Sequence, residues 1–299
     1  VNIYILVMSK IYVVKINNWY GRLGNNIHQL LNAICLCLVN QFHKIIFPKH
    51  QFLSTNEIII NTNNTQNTQN NIDNNETIEI ISSKSNFFLF EEHIKTNYNT
   101  DKITNSIRIQ AKNILKKYLL FKYDTNYETK NNINNDNILY VHIRSGDLFS
   151  KKGNGVHPKY IQPPFQFYIK TINQALIDNP KIKQIKIISE DTLNPCINNL
   201  LKHKINNINI QYKKQSLIED INLILHAKYI IYGLGHFVNI ILIYNKNIKN
   251  VYVPNNGNIT KYQENIPKIF VVNISKYIKL IGSWRNTPKQ HRIMINYKL

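Results

Sequence analysis

The chain has 299 residues, 43 % of them hydrophobic, which is enough for one large domain or two of roughly 150 residues and excludes a wholly disordered polymer. The formal net charge is +20, and nearly all of it is lysine, since Arg22, Arg108, Arg144, Arg285 and Arg292 are the only arginines. The lysines form neither a run of five nor a stripe, so the charge does not outline a nucleic-acid footprint and no nucleic-acid partner is expected. It fits an Asn-, Lys-, Ile- and Tyr-rich composition with solvated lysines.

Three cysteines, Cys35, Cys37 and Cys196, make no C-x-x-C spacing. A zinc or disulfide framework is therefore not expected, and the chain suits a reducing compartment. The apolar run Asn32–Val39 is far too short to cross a bilayer. The apolar start, VNIYILVMSKIYVV, lacks a basic leader and a cleavage site, and Met8 is a candidate natural start. A cytoplasmic location is the expectation, with no membrane span.

Lys10–Ile16 (KIYVVKI) reads as a buried strand. A turn from Asn17 to Gly24 leads into a helix over about 25–41, and His43–Phe47 is a second strand stopped by Pro48. This order is a βαβ unit and predicts a parallel sheet. Asn61–Glu76 is polar, low in complexity and cannot bury itself, so it reads as a disordered insertion. A helix near 105–119 precedes the Asn-rich stretch Asn131–Asn137, which marks a domain boundary between 1–135 and 136–299.

Strand Ile138–Ile143 follows, then a loop to Pro164 and a helix over 165–178. Strands Lys183–Ser189, Asn207–Tyr212, Tyr229–Tyr232 and Asn250–Val253 then alternate with helices near 195–203, Leu217–Ala227 and 236–245. Such alternation predicts a second doubly wound sheet. The fold class is α/β, with two Rossmann-like domains.

Three segments carry chemistry. In Ile138–Asp147 (ILYVHIRSGD) an apolar strand ends in His142, Arg144, Gly146 and Asp147. Ligands of open α/β sheets bind outside the carboxyl ends of strands, and the arginine fork suits phosphate oxygens. In Trp19–Gln29 (WYGRLGNNIHQ) Gly21 and Gly24 flank Arg22 and open a helix, a shape suited to anions. In Glu219–His236 Asp220 starts an amphipathic helix, and Gly233-Leu234-Gly235-His236 sits at the carboxyl end of the next strand. A structural Arg–Asp pair and a first-turn helix acid are the simpler alternatives for Arg144 and Asp220.

Together these segments resemble the GDP-fucose-dependent fucosyltransferases, whose members share a strand ending in H-x-R-x-G-D, here His142, Arg144, Gly146 and Asp147. Their G-x-x-G-N motif is matched by Gly21, Gly24 and Asn25, and a D-I-x-x-L/I-x-x-A-x-x-I/V motif by Asp220 to Ile230. The resemblance implies two domains facing across a cleft, the GT-B arrangement. It also implies metal-independent inversion at the anomeric carbon, with no cofactor beyond the GDP-sugar donor. Arg144 would hold the β-phosphate, and His142 and Asp220 would contact guanine. Gly233, Gly235 and His236 would take the phosphate side, where relatives often carry Ser or Thr. Arg22, Gly24 and Asn25 would face the sugar and a glycan or protein acceptor, and Ser145 stands where many relatives have a second arginine.

In the loop HPKYIQPPFQFY, His157, Tyr160 and Gln162 are candidates for the acceptor side. Asp147, Glu190 and Asp191 are candidate general bases for an acceptor hydroxyl. No D-x-D triplet is present, so no metal is expected. A different nucleotide-sugar donor, or a basic nucleic-acid- or nucleotide-binding protein without catalysis, stays open as an alternative.

Overall fold

The computed structural model describes residues 11–60, 77–82, 99–150, 153–205, 208–256 and 266–299. The apolar start with Met8, the Asn-rich segment 61–76 and Asn207 lie outside these residues. Residue contacts divide the chain into two compact units, Val1–Leu120 and Phe121–Leu299.

In the first unit, β1 (Ile11–Ile16), α1 (Leu23–Asn40) and β2 (Lys44–Ile46) form the expected right order, with β1 and β2 parallel. Two further strands complete the sheet: β3 (Glu57–Ile59), antiparallel to β2, and β4 (Thr77–Ser82), parallel to β1. The order is β3-β2-β1-β4. Helix α1 is buried almost all round from Leu23 to Cys37, which explains its weak amphipathic pattern. Helix α2 (Asn105–Lys116) packs against it and is N-capped by Thr104.

Among its described residues the second unit holds six parallel strands: β5 (Ile138–His142), β6 (Gln184–Ile188), β7 (Asn209–Tyr212), β8 (Tyr229–Tyr232), β9 (Asn250–Pro254) and β10 (Lys268–Val272). The central strands are continuous apolar runs, as strands covered on both faces must be. Their connections carry the turn α3 (Asp147–Ser150) and the helices α4 (Phe165–Asp178), α5 (Pro195–Lys202), α6 (Leu217–His226) and α7 (His236–Leu242). Two terminal helices follow, α8 (Ser275–Ile281) and α9 (Pro288–Asn296).

The strand order is β10-β9-β8-β5-β6-β7. Counted within the unit this is the doubly wound order 3-2-1-4-5-6, in which the chain reverses direction between the two central strands. Here those strands are β5 and β8, paired from Leu139–Tyr229 to His142–Tyr232.

The Asn-rich stretch before β5 belongs to this unit. Asn135 is fully buried and accepts a 2.6 Å hydrogen bond from the Tyr140 hydroxyl. Asp136 receives Lys228 at 3.0 Å and Lys249 at 2.9 Å. The segment is the footing of β5, and the division falls at 120/121 instead of 135/136.

Candidate functional site

Because all six strands run the same way, every loop that follows a strand opens on one edge of the sheet. Arg144, Asp147, Glu190, Asp191, Gly233, Gly235 and His236 all lie at this carboxyl edge, as does Asp220 in the first turn after β7. At the opposite edge the charges neutralise one another: Lys228 pairs with Glu128 at 3.2 Å and with Asp136.

Arg144 follows β5 directly, one residue past the last ladder bond, Ile143 N–H to the Ile188 carbonyl at 3.0 Å. Its side chain is 15 % exposed, and Nη2 donates to both oxygens of Asp147, at 2.9 and 3.2 Å. The guanidinium lies 5.7 Å from the centre of the Tyr160 ring. On another side it meets Gly235, where an added β-carbon would sit 3.9 Å from Cδ and Nη1. Nε is buried and has no hydrogen-bond partner among the described residues. Asp147, 45 % exposed, is a partner that water and ligands can reach. Arg144 is therefore paired at the surface and not locked in a core.

Behind Arg144 the turn is held by buried polar groups. The Ser145 hydroxyl donates to Asp191 Oδ1, which also accepts the backbone N–H of Gly146 at 3.3 Å and of Leu193 at 3.0 Å. Asn194 donates its backbone N–H to Ser145 Oγ and its side-chain amide to the Arg144 carbonyl, both at 2.9 Å. Burial alone would raise the Asp191 carboxyl, but these donors, with Lys214 nearby, hold it below the ordinary range. So Asp191, a candidate base by position, is a structural carboxylate and a poor proton acceptor.

Gly146 has φ +56°, and a β-carbon there would overlap the Glu190 carboxylate. Only glycine lets that carboxylate lie against the turn. Asp220 is buried at 8 % exposure and its carboxyl is pushed up to about 7, first by burial and then by the charges of Glu219 and Glu190. Its helix is well started, since Ser216 and Glu219 form a reciprocal capping box.

The turn after β8 completes the edge. Gly235 adopts φ +140°, a region open only to glycine. A β-carbon on Gly233 would come within 2.8 Å of Pro163 Cδ and 3.3 Å of Gln162 Oε1. Gln162 is fully buried, its amide donates to the Tyr160 carbonyl at 3.3 Å, and Oε1 has no partner among the described residues. Burial, reinforced by Arg144, lowers the pKa of His236 and keeps the ring neutral. His142 leans on Phe237 at 5.7 Å between ring centres. His157 is exposed and meets Tyr160 edge-on at 4.8 Å.

Arg22, Gly24 and Asn25 belong to the first unit. Arg22 is exposed, and its carbonyl starts α1 by accepting Asn25 N–H at 2.8 Å and Asn26 N–H at 3.1 Å. Gly21 has φ +77°, and a β-carbon there would overlap the Asn25 amide. Asn26 and Gln29 hold the incoming loop through the Tyr20 and Asn18 carbonyls. Gly24 is buried at the helix start.

All three cysteines are buried, and none of them forms a disulfide. Among the described residues no group of three or more His, Cys, Asp or Glu is placed to hold a metal, and no helix is long and apolar enough to cross a membrane.

No family model and no curated protein matches the sequence. Among solved structures, the chain is similar to POFUT1 in complex with GDP-fucose, at 9 % identity and a TM-score of 0.45 over 88 % of this chain and 97 % of that one. POFUT1 in complex with GDP superposes at 9 % identity and a TM-score of 0.44, covering 87 % and 98 %. A likeness this loose assigns no residue a role.

Proposed function

We propose that the chain is an inverting, metal-independent glycosyltransferase that draws its sugar from a nucleoside diphosphate, with GDP-fucose the donor favoured by the motif resemblance. The observation that carries this reading is Arg144. It stands at the point where strand order reverses, against Gly235, with the part-exposed carboxylate of Asp147 as its ion-pair partner.

The chemistry follows from the charges. As the sugar's anomeric carbon leaves the β-phosphate oxygen, the electron pair stays on the diphosphate. A guanidinium fork stabilises that growing charge more strongly than the ground state. The glycines at 233 and 235 allow backbone to approach the phosphates, and neutral His236 adds a polar contact without a charge. An ionised Asp220 accepts two hydrogen bonds from the N1–H and N2 edge of guanine, which adenine does not offer. His142 lies on the same base side.

When the diphosphate takes the Arg144 fork, Asp147 is released. It or Glu190 then takes the proton of the acceptor hydroxyl as that oxygen attacks the anomeric carbon. Arg22, Gly24, Asn25 and His157 fall to the sugar and acceptor side, with a glycan or protein hydroxyl as acceptor.

The test is GDP binding by titration calorimetry. Hydrogen bonds to charged groups contribute about 1.5–3 kcal/mol, so Arg144→Ala weakens GDP on the order of 10- to 100-fold. Equal affinity in the variant and the parent chain overturns the assignment.

A further inference from the structure

Asn194 is fully buried, 50 residues from Arg144 in sequence, and touches it only through the backbone. Its side chain does two things. Oδ1 accepts the Cys196 N–H at 3.0 Å and so caps helix α5, whose first residue is Pro195. Nδ2 donates to the Arg144 carbonyl at 2.9 Å. Its backbone N–H meets Ser145 Oγ, whose own proton goes to Asp191.

Helix capping needs only the oxygen. A serine satisfies it equally well, and nothing about α5 calls for an amide. The amide nitrogen is instead spent on the carbonyl of Arg144 itself, between the end of β5 and the positive-φ turn at Gly146. We infer that Asn194, with Ser145 and Asp191 behind it, is the positioning residue that sets the direction of the Arg144 side chain toward a diphosphate. With the Ile143 N–H held by the β5 ladder on one side and its own carbonyl held by the Asn194 amide on the other, Arg144 keeps one orientation of its Cα–Cβ bond. The guanidinium is then aimed before a ligand arrives, and no ordering has to accompany binding. This inference rests on the diphosphate reading of Arg144 given above.

The test is a double-mutant cycle read by calorimetry with GDP and with inorganic pyrophosphate. Asn194→Ser keeps an oxygen to cap α5 and removes only the bond to Arg144. It weakens both ligands roughly tenfold, about the contribution of one buried hydrogen bond. In an Arg144→Ala background the same substitution changes affinity by less than about twofold, because it has no guanidinium left to aim.

In GDP-fucose hydrolysis, Asn194→Ser lowers kcat more than it raises KM. Ser145→Ala, read in the same cycle, gives the same pattern and covers the case of a serine that folds poorly. Equal losses with and without Arg144, or no loss at all, overturn the inference and leave Asn194 a helix cap. An Arg144→Ala chain that binds as tightly as the parent, or a parent that binds neither ligand, overturns the diphosphate reading and this inference with it.

Discussion

Arg144 and Asp147 form an ion pair that a diphosphate has to open. Its carboxylate is 45 % exposed, so water screens the pair and its net contribution is small, about 0–1 kcal/mol. Removing the competing charge with Asp147→Asn should therefore tighten GDP binding by up to about fivefold while slowing sugar transfer. Weaker binding in calorimetry would mean that Asp147 orients the arginine and does not compete with the ligand. Gly146→Ala meets both a positive φ and the Glu190 carboxylate, a strain of roughly 1–3 kcal/mol. It should lower the melting temperature and GDP affinity together; a variant as stable as the parent contradicts the close approach seen at this turn.

Helix α6 carries a pH signal through Asp220. Its carboxyl is raised from the ordinary 3.8 to about 7. The folded protein thus holds a proton that the unfolded chain releases. The stability this confers is complete below about pH 4 and is lost as pH rises toward 7. Asp220→Asn should flatten the fall of melting temperature between pH 5 and 8. Guanine recognition needs the ionised form, so GDP affinity in the parent should rise over the same interval with release of a proton; a flat profile separates Asp220 from the base.

The elements around this helix were also the ones most legible in the sequence. β8 is legible to the residue and helix α4 by its Pro163-Pro164 start, because unbroken apolar runs and a proline stop leave little choice. β3 and β4, which flank a low-complexity stretch, and β10, whose solvent-facing residues dilute its pattern, gave no such signal. In the site, Arg144 and the glycines were legible because polar and small residues interrupt apolar strands. The Asp191–Ser145–Asn194 network was not, because its partners lie 46 to 50 residues apart. Only Asn194-Pro195, a cap followed by a helix-starting proline, hinted at it.

The second unit builds its site from its own core. Trp284 is fully buried and donates its indole N–H to the Leu148 carbonyl at 3.0 Å. Asn286 bonds the Phe149 carbonyl at 2.7 Å, and the Tyr277 hydroxyl bonds the Gln162 carbonyl at 3.1 Å. The C-terminal segment thus braces both loops that border Arg144. Trp284→Ala should cost about 3–5 kcal/mol and be seen as a large drop in melting temperature, with GDP protecting it less than the parent.

For the whole molecule, one arginine at the switch point of the parallel sheet is proposed to receive a nucleoside diphosphate. Thermal melting of the parent chain and of Arg144→Ala, each with GDP, UDP and ADP, tests it most directly, since a ligand that binds only the folded state raises the melting temperature. GDP should stabilise the parent more than UDP and ADP do, and the effect should be lost in Arg144→Ala. Equal stabilisation of both chains, or none of the parent by any of the three, contradicts it.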